Sequence, residues 1–143
     1  MKVANVPQDK TIPVQTIDQA LAELKFTADG LIPAIAQDHQ TGEVLMMAWM
    51  NEPSIRETLT QGRAVYWSRS RQALWPKGDT SGQIQALVDF RIDCDGDTIL
   101  LIVDQTGVAC HTGRRNCFFR SVRPDGIAEI PMERADPNAL YRR

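Results

Sequence analysis

The chain has 143 residues, 43% of them hydrophobic and 24% charged, with a formal net charge of −2. This is one domain's worth of chain with an ordinary soluble balance, which excludes wholesale disorder and disfavours nucleic-acid binding through a strongly basic surface. The longest apolar run, residues 99–103, is far short of the roughly 20 residues a membrane span needs, and residues 1–10 lack the apolar stretch of a secretory signal.

In chain order, residues 1–15 are polar, contain Pro7 and Pro13, and read as a loose arm. Thr16 is expected to cap a helix over residues 17–26, in which Ile17, Ala20, Leu21 and Leu24 share one face. Residues 31–36 and 44–50 read as strands joined across residues 39–42. Asn51 is placed to cap a second helix, with Pro53 tolerated in its first turn and an end near Gly62. Residues 64–68 are β-like, and residues 71–82 form a long loop punctuated by Gly and Pro, of the kind that often carries function. Residues 83–94 and 97–104 read as a hairpin turning at Asp95-Gly96, and residues 118–122 as a last core strand. Beyond residue 122, three prolines and many charges predict a weakly packed tail over residues 123–143, which leaves residues 16–122 as the folded domain. The expected class is mainly β with two helices, a small barrel or sandwich and not a βαβ fold.

Three cysteines, Cys94, Cys110 and Cys117, are an odd number without an export signal. That argues for reduced thiols in a cytoplasm and against a disulfide framework. Cys94 lies in the densest acidic cluster, Asp93-Cys94-Asp95-Gly96-Asp97, which by itself is either a solvated turn or a cation loop. An EF-hand is rejected: Thr98 stands where the sharp turn needs Gly, and Asp104 where a bidentate Glu is needed. Side chains alternate along a strand, so Asp93 and Asp95 face one way and Cys94 the other. Oxygen donors suit Mg²⁺ and thiolates suit Zn²⁺, so the pattern points to two metals. Three thiolates cannot close a four-cysteine site, and a three-ligand zinc keeps the open position of a catalytic centre. His111 adjoins Cys110 and is either a fourth ligand or a base and orienter. The second reading is favoured because neighbouring residues rarely both aim at one metal.

Donors suited to phosphate fall in three segments: Ser68, Arg69, Ser70 and Arg71; Lys77, Thr80 and Ser81; and Thr112, Arg114 and Arg115. The usual nucleotide-loop patterns are absent. Of the three tryptophans, Trp49 and Trp67 read as core, and Trp75, in the long loop, as a platform for a base.

The runs VLMMAWMN at 44–51, YWSRSR at 66–71, LWPKGDTSG at 74–82, DCDGD at 93–97 and ACHTG at 109–113, followed by Cys117-Phe118, resemble the phosphoribosyl-AMP cyclohydrolase family from about residue 31 to 122. Asp79, Val108 and Asn116 depart from the residues usual there (Glu, Pro and Ser) without removing a ligand. The resemblance implies hydrolytic opening of the adenine ring of 1-(5-phosphoribosyl)-AMP between N1 and C6, a step of histidine biosynthesis. It also implies a β-rich pseudo-barrel capped by a helix, and one Zn²⁺ and one Mg²⁺ per subunit. Asp93, Asp95 and Asp97 would hold Mg²⁺. Cys94 of one subunit would join Cys110 and Cys117 of the other on Zn²⁺ in a homodimer, with His111 moving the proton. The rival readings are a zinc nucleobase deaminase, whose H-x-E and P-C-x-x-C signatures are absent, and a non-catalytic structural-zinc module.

Overall fold

The structure, a computed structural model, describes residues 12–136. It is mainly strands, with two helices packed on them. Helix α1 spans Val14–Glu23, three residues ahead of the expected start. Pro13 is its N-cap, its carbonyl accepting from the Thr16 and Ile17 amides at 3.0 Å each, so Thr16 lies inside the first turn. The helix also stops early, because Leu24 turns extended and the Lys25 amide donates to the Gly96 carbonyl at 2.7 Å in place of a helical acceptor. Ile17 and Leu24 are buried and Leu21 packs against the same core, as the apolar face predicts.

Strands β1 (Ile32–Asp38) and β2 (Val44–Met50) pair antiparallel with Ile32 opposite Met50. Helix α2 (Glu52–Gln61) follows with both ends as expected. The Asn51 Oδ1 accepts from the Ser54 amide at 3.0 Å while the Ser54 Oγ accepts from the Asn51 amide at 2.8 Å, a reciprocal cap. Gly62 closes the helix in the left-handed region at φ 72°. The buried Thr58 hydroxyl donates to the Ser54 carbonyl and accepts from the Val65 amide, which ties α2 to the next strand.

The long loop expected over residues 71–82 is shorter than that. Strand β3 (Val65–Ser68) pairs with β4 (Ala73–Pro76), which lies inside it. Tyr66 sits opposite Trp75 with ring centroids 5.5 Å apart, and this aromatic contact holds a strand where Pro and Gly spacing reads as loop. Strands β5 (Gln85–Ile92) and β6 (Ile99–Gln105) complete a four-stranded sheet of order β2-β1-β6-β5, in which β1 and β6 run parallel. Ile32, Ala34 and Ala36 of β1 and Ile99, Leu101 and Val103 of β6 form its buried centre. The sheets found are this one and two pairs, and no closed barrel occurs among the described residues.

Residues 118–122 do not form a core strand. Strand β7 (Arg120–Arg123) pairs with β8 (Gly126–Glu129) in a separate hairpin, where the opposed Val122 and Ile127 are 86% and 63% exposed. The expected tail therefore contains β8. Its residue Ala135 returns to the domain, donating from its amide to the Gly113 carbonyl at 2.8 Å. The rest of the expected tail, residues 137–143, and residues 1–11 of the expected arm lie outside the described residues. No helix among the described residues is long and apolar enough to cross a membrane.

One glycine fixes a loop that matters below. Gly96 has φ +77°, and a Cβ there would run into the Glu23 carbonyl oxygen at the end of α1. Gly96→Ala is expected to destabilise the fold by about 1–3 kcal/mol. A thermal melt of the purified variant checks this, and an unchanged melting temperature would mean that the clasp on α1 is loose.

Candidate functional site

Two donor sets lie at opposite ends of β6. At its start, residues 93–98 form a six-residue loop, wider than the two-residue turn expected at Asp95-Gly96. Asp93 organises it: its Oδ1 accepts from the Asp97 amide at 2.9 Å and the Thr98 amide at 3.2 Å, and its carbonyl accepts from the Gly96 amide at 3.2 Å. The strand-alternation argument fails here, because these residues have left the strand. The loop itself gathers the carboxylates, with oxygens of Asp93, Asp95 and Asp97 all within 4.8 Å of one another. Slight desolvation raises the pKa of Asp93, but hydrogen bonds from the Asp97 side chain and the Thr98 backbone outweigh it and hold the carboxyl below its ordinary value. Asp97 is pushed up, first by its hydrogen bond with Asp93 and then by the one with Asp95. Three exposed, mutually repelling oxygen donors fit a hard divalent cation. A cation held there would have to displace the proton that Asp97, with its raised pKa, tends to keep. Cys94 is exposed on the same loop.

Beyond the far end of β6, Cys110 is buried and Cys117 exposed. The Ala109 and Cys110 amides donate to the Arg115 and Arg114 carbonyls, which closes the loop between the two cysteines. The Cys117 amide donates to the Leu45 carbonyl at 2.8 Å, fixing it to β2. Burial, then the charge of Cys110 and a hydrogen bond with it, push the Cys117 thiol up to about 12. In a metal-free chain Cys117 is therefore protonated at neutral pH, and a soft cation binding at its sulfur would release that proton. The seven residues of β6 separate this pair from the acidic loop, and at 3.3–3.4 Å per residue that is about 20 Å of strand. Cys94 does not reach Cys110 and Cys117 within one chain.

Lys77 lies within electrostatic reach of the thiol pair. It is only 6% exposed, held by its amide on the Ala64 carbonyl and by the Arg63 Nη2 on its own carbonyl. Burial pushes its ammonium below the usual lysine range, against the opposing pull of Cys117 and Cys110. With Arg71, Trp75, Gly78, Thr80 and Ser81 it lines a pocket of about 350 Å³. Ser68, Arg69 and Ser70 line a second cavity of about 490 Å³, which also touches Trp75.

The third segment behaves differently. Arg114 lies 3.9 Å over the Phe119 ring and pairs with Glu129 at 3.3 Å, while Arg115 is ion-paired with Glu43. The Thr112 hydroxyl is 3.0 Å from the Cys110 sulfur, and His111, exposed, stands between them in sequence. Glu43 and Asn116, hydrogen-bonded at 2.6 Å, brace the Cys117 loop; Asn116 stood out in the sequence only as a departure from the family pattern, and Glu43 not at all, since a lone Glu between strands carries no signal. Trp49 and Trp67, read there as core, instead line the second cavity.

Comparison with known proteins shows the family. The sequence model of the phosphoribosyl-AMP cyclohydrolase family matches residues 46–119, which include all three cysteines and the acidic loop. A phosphoribosyl-AMP cyclohydrolase of Rhodospirillum centenum is 65% identical over 125 residues, 87% of this chain and 94% of the relative. One of Paramagnetospirillum magneticum is 62% identical over 132 residues, 91% of this chain and all of the relative. With matches of that extent spanning both donor sets, the chain belongs to the phosphoribosyl-AMP cyclohydrolase family.

Proposed function

We propose that this enzyme opens the adenine ring of 1-(5-phosphoribosyl)-AMP by hydrolysis between N1 and C6. It would work in the cytoplasm as a homodimer with one Zn²⁺ and one Mg²⁺ per subunit. The observation that carries the reading is the contiguity, through buried Lys77, of the thiol pair with a cation-lined pocket of phosphate-binding size. The 20 Å length of β6 supports a site built from two chains. The acidic loop and Cys94 come from one chain, and Cys110, Cys117 and the pocket from the other. The donor sets fit their ions, thiolates for zinc and carboxylates for magnesium. Zinc bound there supplies acidification of water, so that hydrolysis runs at neutral pH.

The chain's own residues do the rest. The pocket of Arg71, Lys77, Thr80 and Ser81 binds phosphate and thereby positions the ring against the thiol end. Trp75 excludes water from one ring face. His111, exposed beside Cys110, moves the proton to the departing N1.

The test is an absorbance assay of purine ring opening on zinc-loaded protein with Mg²⁺ titrated in. Turnover that depends on both metals is expected, and no ring opening under any metal condition would refute the proposal. In the same assay Asp95→Asn removes one hard ligand and one charge. It should retain zinc while requiring roughly tenfold or more Mg²⁺ for half-maximal rate. An unchanged Mg²⁺ requirement would make the loop a solvated turn.

A further inference from the structure

The two cavities meet at Trp75, and together they form one groove with a cationic pocket at either end. Among the described residues, the arginines of the thiol loop, Arg114 and Arg115, are ion-paired to carboxylates, whereas no carboxylate pairs with Arg69, Arg71 or Lys77. Three cations without a carboxylate partner therefore line the groove. They are also held by aromatic faces: the Arg69 guanidinium lies 5.0 Å from the centre of the Trp49 ring and the Lys77 ammonium 5.8 Å from that of Trp75. A guanidinium stacked on a ring keeps its N–H edge free for an anion and loses little freedom on binding one.

We infer that the groove separates the two phosphoribosyl arms of the substrate, one on each side of Trp75, and that Arg69 on Trp49 is the specificity determinant for the arm on N9. This rests on the proposed function, which supplies a purine substituted on both N1 and N9. Those nitrogens lie on opposite edges of the ring system, so the two arms leave it in opposite directions. The order follows from chemistry. The carbon to be attacked, C6, neighbours N1, so the N1 arm lies towards the thiol pair. Ser81 of the pocket containing Lys77 and Arg71 accepts from the Gln83 amide, and the Gln83 Oε1 accepts from the Val108 amide two residues before Cys110, so that pocket is the one on the thiol side. The N9 arm then falls to the second cavity, with Arg69 reaching its phosphate and Ser68 and Ser70 beside it.

The arrangement makes AMP a diagnostic probe, because AMP carries the N9 arm alone. Calorimetric titration of AMP into zinc-loaded protein should give a dissociation constant raised about tenfold or more by Arg69→Ala and unchanged by Arg71→Ala. With the full substrate, each variant should raise KM by a similar factor with little change in kcat, since both arms are gripped in ground and transition state alike. An AMP affinity lowered by Arg71→Ala, altered by both variants or by neither, or absent in the wild type overturns the assignment. So does an Arg69→Ala enzyme with unchanged KM. Wild-type protein that binds AMP in this pattern but opens no ring would refute the proposed reaction and leave the groove standing.

Discussion

Mixing Cys94→Ser protein with Cys110→Ser protein, each inactive alone, is expected to restore activity once subunits exchange. Cys94 sits at one end of β6 and Cys110 past the other, so a site needing all three cysteines draws them from two chains. A heterodimer of the two variants then has one site carrying both lesions and one site intact. With statistical exchange of equal amounts, half of the dimers are heterodimers, and the mixture should recover about a quarter of wild-type activity. Zinc content should rise in the same proportion. If zinc were bound within a chain, every subunit would carry a lesion, and no recovery despite exchange shown by mass-labelled subunits would exclude the shared site.

The second large effect concerns the thiol pair. Cys117→Ala should lose tightly bound zinc and, with it, activity by a factor of about 10³ or more, because two ligands cannot hold the ion and hydrolysis at neutral pH loses its acidified water. Elemental analysis after gel filtration reads the metal, and the absorbance assay reads the rate. Retained activity in a zinc-free variant would end the catalytic-zinc assignment. The raised thiol pKa of Cys117 adds a sign. Wild-type apo-protein should release protons on zinc binding, and its zinc affinity should fall as pH is lowered, because the ion competes with protons for the sulfur.

Much of this was legible because local chemistry fixed it. Asn51, Pro53 and Gly62 mark α2 at both ends, and the run at residues 44–50 becomes β2 with the expected bounds. The donor types proposed for the two metals could be read from the acidic cluster and the odd cysteine count. What escaped depends on distant partners. The end of α1 is set by Gly96, more than seventy residues away, and β4 by the ring of Tyr66. The faces of Asp93, Cys94 and Asp95 were argued from a strand, but two backbone amides converge on the Asp93 carboxylate and make a loop. The apolar residues at 118–122 looked like core, yet the chain had already completed its sheet without them. Trp49 and Trp67 counted as core by type, and only the assembled groove shows one of them under an arginine.

Strand β6 has a further consequence. In the shared arrangement it is a spacer whose seven residues set how far apart the two catalytic centres of a dimer stand, since each copy delivers carboxylates to one centre and thiols to the other. Its length is then a property of the whole assembly. Removing one residue would shift the acidic loop by about 3.4 Å relative to the cysteines and turn every following side chain to the opposite face. Both centres would be lost to a single deletion, whereas the β7–β8 hairpin meets the thiol loop only through side chains such as Glu129 on Arg114 and spans no distance between the donor sets.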